Sequence, residues 1–196
     1  MSYFKSRRSA VVARKGAVAT SQPLAAQAGL QILRDGGNAV DAAVATAAVL
    51  NVVEPMSTGI GGDMFALIWD KDERKVIALN GSGRQAAAAN VDDVRKAGYE
   101  SIPNNGPGSH FAVSVPGTVH GWETSLNQYG RMTLREVLQP AIDYALNGYA
   151  VSEVIAHGWG GVDTVAKLNH RPSGSQLLPG AAANGAPRYG EVITLP

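Results

Sequence analysis

The 196-residue sequence contains no cysteine, which removes disulfides, thiolate metal sites, iron–sulfur clusters and cysteine nucleophiles together. Aromatic residues are also sparse, with three tryptophans, three phenylalanines and six tyrosines. They are not interleaved with basic residues as a base-stacking surface requires. Neither sign of charge dominates: seventeen basic and sixteen acidic residues leave a net charge of +1, with no long run of either sign. The expected partners therefore include neither nucleic acid nor an anionic membrane. The longest apolar run, Ala42 to Val53, is interrupted by Thr46 and Asn51 and is too short to cross a bilayer. The amino-terminal MSYFKSRRSAVVARKG is basic but has no apolar core of a secretory signal. A soluble, cytoplasmic location is expected, or a periplasmic one if a leader precedes this sequence.

What is present is a composition of 45% hydrophobic and 17% charged residues, typical of a chain that can bury a substantial core. After an extended start over Ala10 to Thr20, Pro23 opens a helical pattern, LAAQAGLQILRD, that Gly36 and Gly37 close. Asn38 is placed to cap a second helix with Asp41 three residues on, and Pro55 stops it. Alanines and branched residues occupy every side of Ala39 to Val53 instead of one stripe, so this helix is expected to be packed on more than one side. Met64 to Trp69 and Lys75 to Leu79, separated by DKDER, predict a β-hairpin. A short helix over Val91 to Gly98 leads into a turn-rich loop through Pro103, Asn104, Asn105, Gly106 and Pro107. Phe111 to Val115 reads as a strand ended by Pro116, and a helix follows through Trp122 to Tyr129. Thr133 and Glu136 form a capping box for LREVLQPAIDYALNG, which Pro140 should kink or split and Gly148 should end. Ser152 opens a further helix toward Leu168, and the tail from Arg171 reads as irregular. The elements mix helix and strand without regular alternation, so the expected class is an α/β or α+β sandwich in one domain with no internal linker.

Most of the chemistry-bearing motifs have a plain structural role. Gly59, Gly61 and Gly62 resemble a phosphate loop by composition, but the order is helix, loop, strand, the reverse of a dinucleotide site, and no Gly-Lys-Ser/Thr follows. A structural turn is favoured, with Gly61 and Gly62 expected in backbone conformations closed to other residues. His110, His120, His157 and His170 show no metal-ligand spacing, and no metal site is assigned. Ser82 has its glycines at the wrong offsets for a nucleophile elbow, and Ser2 with Lys5 matches Ser-x-x-Lys only by letter. Arg84 differs in kind. It follows Gly81 and Gly83 at a strand end, with only Asp92 and Asp93 as nearby acids in sequence, and its planar fork suits a carboxylate.

Several stretches in one order carry a likeness to a known family: GAVATSQPLAAQAGLQILRDGGNAVDAAVATAAVLNVVEP, STGIGGDMFALIWD, NGSGR, and SVPGTVHGWETSLNQYGRMTLREVLQPAIDYALNGYAVS. Together they resemble the large subunit of the γ-glutamyltransferase (γ-glutamyltranspeptidase) family. The resemblance implies an N-terminal nucleophile hydrolase with a four-layer αββα sandwich, of which residues 1–196 form the amino-terminal part of the large subunit. It implies a precursor that cuts itself, a small subunit whose new amino-terminal threonine is the nucleophile, and a heterodimer or dimer of heterodimers. It also implies that Arg84 holds the substrate carboxylate. No catalytic residue and no cofactor are then expected in this chain, since no Thr-Thr-His occurs and Thr118-Val119-His120 falls in a helix. Taken alone, the chain is expected to be inactive and to expose faces of Ala39 to Val53. The residues after Arg84 are Gln85, Ala86 and Ala87, where typical transpeptidases carry an acidic residue and Ala-Pro. That departure resembles oxamate amidohydrolase and acylase-like members, and a non-catalytic structural subunit is the reading from a different class.

Overall fold

The computed structural model describes residues 10–103, 108–170 and 173–194. Asn104, Asn105, Gly106 and Pro107 of the turn-rich loop, the Ser2 and Lys5 pair, and Arg171 lie outside the described residues. Helix α1 (Pro23–Arg34) begins with proline in its first turn, and the Gln22 side chain accepts from Leu24 and Ala25 amides. Gly36, at φ 101°, turns the chain back into α2 (Ala39–Val53). The Asn38 and Asp41 side chains form the capping box expected there. The two helices approach closely because α1 carries Gly29: a Cβ at that position would lie 2.3 Å from Thr46 Oγ1 and 3.2 Å from the Ala42 carbonyl. Ala42, Val44, Ala45, Ala48, Val49 and Val53 are all buried, so α2 is the central helix.

Strands β1 (Met64–Asp70) and β2 (Lys75–Gly81) pair antiparallel, with Asp70 opposite Lys75 and Met64 opposite Gly81. The hairpin is half-buried with period two, as its alternating exposure records. A short helix α3 (Val91–Lys96) follows. Helix α4 (Thr118–Tyr129) packs against both strands and α2, and α5 (Leu134–Asn147) packs on α2. After Gly148, at φ 81°, β3 (Tyr149–Ala150) pairs with β4 (Val192–Ile193). Between these strands lie α6 (Glu153–Trp159) and α7 (Val162–Asn169). Trp159 is fully buried there and its Nε1 donates to the Leu177 carbonyl at 2.8 Å.

Four expectations are corrected. Phe111 to Val115 is not a strand: Ser109–Ala112 is a 3-10 turn entered through Gly108 at φ 89°, where Phe111 contacts the Tyr99 and His110 rings. Only Ser114 makes a bridge, to Gln85. Pro140 neither ends nor divides α5, because buried Val137 and Ala141 on either side of it are held in the core with α2, and packing outweighs one missing amide. The Ser152 to Leu168 pattern is two helices, since Gly161 is extended (φ −58°, ψ 139°) and the chain turns where Trp159 is buried. Lastly, the tail is ordered enough to supply β4.

On α2, Ala39 and Ala43 are exposed as expected, but the larger apolar exposure lies on the hairpin. Phe65, Leu67, Trp69 and Val76 share the outward face of the hairpin at 65%, 78%, 62% and 59% exposure. Among the described residues the helices gather around α2, with α4 against the β1–β2 hairpin, and β3 with β4 forms a second two-stranded sheet. No helix among them is long and apolar enough to cross a membrane.

Candidate functional site

Arg84 stands three residues beyond the end of β2, after Ser82 and Gly83. Gly83 has φ 80°, in the left-handed region that glycine alone enters without strain. The turn is fastened by the segment that leads into α4. The Val115 amide donates to the Arg84 carbonyl at 2.8 Å, and Ser114 Oγ donates to the Ser82 carbonyl at 3.2 Å. The contact is so close that a Cβ on Gly83 would lie 1.7 Å from the Val115 carbonyl oxygen, and one on Gly117 would lie 2.2 Å from that of Gly81.

The glycine loop after α2 completes this junction. The Gly62 carbonyl accepts from the amides of Gly117 at 3.0 Å and Thr118 at 3.2 Å. Helix α4 has no side-chain cap at its start, so this carbonyl takes the place of one. The loop thus presents an acceptor inward, the wrong polarity for a phosphate cradle. Gly61 and Gly62 are not at positive φ, and a Cβ on Gly61 would meet nothing within 4 Å. The expectation that they need glycine-only conformations is therefore overturned; that requirement falls on Gly83 by conformation and on Gly117 by space. Three glycine-bearing stretches far apart in sequence meet at the base of Arg84.

The Arg84 side chain is exposed. Asp92 and Asp93, its only nearby acids in sequence, are instead paired within α3 to Arg95 and Lys96, each at 3.7 Å. Among the described residues Arg84 has no ion pair, which leaves its fork open to a carboxylate. Ser114, Gly117 and Thr118 were missed from sequence. The signal was the SVPGT run itself, a proline–glycine pair just before a helix with no side-chain cap. Thr118 is 4% exposed and its hydroxyl has no partner among the described residues.

Other candidates are not gathered here. His110, His120, His157 and His170 are exposed on four different elements. No group of three metal-ligating side chains occurs among the described residues. Ser82 Oγ donates to the Gly83 carbonyl at 3.3 Å, as a turn residue does. A concavity of about 970 Å³ lies between α2, α4 and β1, with Ala43, Met64, Trp122 and Tyr129 in its lining. It does not include Arg84.

The arrangement of helices around this hairpin is similar to that in solved transpeptidases and acylases. The γ-glutamyltranspeptidase of Helicobacter pylori superposes with a TM-score of 0.80 at 30% identity, over 95% of this chain and 52% of that one. The cephalosporin acylase of Bacillus halodurans gives a TM-score of 0.75 at 40% identity, over 97% and 37%. Residues 25–196 match the model of the gamma-glutamyltranspeptidase family, and the chain belongs to that family. The glutathione hydrolase-like YwrD proenzyme of Bacillus subtilis is 48% identical over 143 residues, 72% of this chain. The chain spans only 26% of that relative's length.

Proposed function

We propose that this chain is the amino-terminal part of the large subunit of an enzyme that transfers or hydrolyses γ-glutamyl amides, with Arg84 binding the donor's carboxylate. The observation that carries the reading is Arg84 itself: an exposed guanidinium, unpaired among the described residues, on a turn braced at 2.8 Å by the amide of Val115. Family membership supports this reaction class. Two parallel N–H···O bonds from the fork would orient the donor and leave its amide facing the nucleophile. That nucleophile is a threonine at the amino terminus of the small subunit, from the same precursor. Its hydroxyl oxygen adds to the amide carbonyl as the terminal amine takes the hydroxyl proton. The amine then returns the proton to the leaving nitrogen as the C–N bond breaks, and water or an amino acid accepts the acyl group. The rest of the enzyme would also cover the outward face of the hairpin.

A second reading has its own support. Gln85, Ala86 and Ala87 after Arg84, with 40% identity to a cephalosporin acylase, favour a hydrolase of other carboxylate-bearing amides, oxamate among them. Both readings place a carboxylate on Arg84. A non-catalytic structural subunit is the reading that kinetics would exclude.

The test uses the complete processed enzyme with a γ-glutamyl anilide, oxamate and a glutaryl amide as donors. Charge-assisted bonds of roughly 1.5–3 kcal/mol predict that Arg84→Ala lowers kcat/KM by about tenfold or more on the preferred donor. Arg84→Lys should recover little, because lysine lacks the fork. Unchanged kinetics in folded Arg84→Ala enzyme would refute the role.

A further inference from the structure

An arginine can select a carboxylate only if the root of its long side chain is held, and this root sits in a turn that glycine makes loose. Gly81 and Gly83 flank Ser82, and Gly83 is at φ 80°, so the turn has unusual conformational freedom to lose. It is tied on both sides of Gly83 by one neighbouring segment. The Val115 amide holds the Arg84 carbonyl at 2.8 Å, and the Ser114 hydroxyl holds the Ser82 carbonyl at 3.2 Å. The segment is itself moored at the start of α4, where Gly117 and Thr118 donate to Gly62. Of these ties, the one from Ser114 depends on a side chain.

From this geometry we infer that Ser114 is a positioning residue for Arg84, fixing the arginine's root so that the guanidinium meets a donor carboxylate at low cost in entropy. The inference rests on the carboxylate role proposed above for Arg84. Ser114 acts through Arg84 on binding of the carboxylate-bearing donor and touches neither the nucleophile nor the reacting amide.

In the processed enzyme, Ser114→Ala should raise KM for the preferred donor roughly two- to tenfold, the worth of one neutral hydrogen bond, with kcat unchanged. Ser114→Thr, which keeps the hydroxyl, should restore KM. A donor analogue lacking the carboxylate should be turned over equally by wild type and Ser114→Ala. In an Arg84→Ala background Ser114→Ala should add nothing, because the group it positions is gone. If Ser114→Ala accumulates unfolded, Ser114→Cys, a weak donor of similar volume, takes its place in the same cycle. Additive effects of the two substitutions, or a fall in kcat with KM unmoved, would overturn the inference while leaving the role of Arg84 standing. An Arg84→Ala enzyme with normal kinetics would instead remove the carboxylate reading on which it rests.

Discussion

Asp41 offers the sharpest test of what holds the helical layer together. Its side chain is fully buried, and its carboxylate accepts from Asn38 N at 2.7 Å, Arg131 N at 3.0 Å and 3.1 Å, and Met132 N at 3.2 Å. One acid therefore caps α2 and receives the amides of the turn between α4 and α5. Asn38 reinforces the same joint by donating to the Tyr129 carbonyl at 2.6 Å. Bonds to a charged acceptor are worth roughly 1.5–3 kcal/mol each, so three amides set a ceiling of about 4.5–9 kcal/mol. Arg131 is exposed, and water can replace part of that loss. The expected cost of Asp41→Ala is then about 3–5 kcal/mol, a large share of the roughly 5–15 kcal/mol of a typical domain. Asp41→Asn should fall between, since its amide keeps one acceptor but turns donors toward donors. Urea titration of the 196-residue chain, followed by far-UV circular dichroism, measures this directly. Combining it with Asn38→Ala should cost less than the sum, because both residues hold one joint. A loss under about 1 kcal/mol with an unchanged m-value would refute the reasoning.

Two further outcomes follow from the turn geometry and from a buried hydroxyl. In the same chain Gly83→Ala should cost about 2 kcal/mol or more while Gly61→Ala stays within about 0.5 kcal/mol, because only the first meets a backbone oxygen, at 1.7 Å; equal damage in urea melts would reject the junction. Tyr149 is 4% exposed, its hydroxyl has no partner among the described residues, and burial raises its pKa above the ordinary 10.0. Its contribution is full below pH 10 and declines above it, as the unfolded chain releases a proton the folded chain keeps. Tyr149→Phe should match or exceed wild type at pH 7 and lose less stability between pH 9 and pH 11; an identical alkaline decline in both proteins would contradict this.

Local rules made much of the helical framework readable. Asn38 with Asp41 and Thr133 with Glu136 announced their helices because a capping box is written within four residues. The hairpin was legible from two apolar runs around DKDER, and Arg84 from its place at a strand exit. Pro140 misled because its rule is local, whereas Val137 and Ala141 are buried in the core that α2 organises. Phe111 to Val115 misled because strand propensity does not supply a partner, and only Ser114 found one.

The site divides along the same line. The sequence by itself determined that an arginine follows two glycines at the end of a strand, and its motifs in order assigned the family. Only the tertiary structure decided what those glycines are for. Gly62 lends a carbonyl to α4, Gly83 turns at positive φ, and Gly117 leaves room for the Gly81 carbonyl. The physical reason is that close backbone approach depends on atoms brought together from residues 62, 83 and 117, and on the absence of a side chain. No local pattern records which absent Cβ would have collided with what.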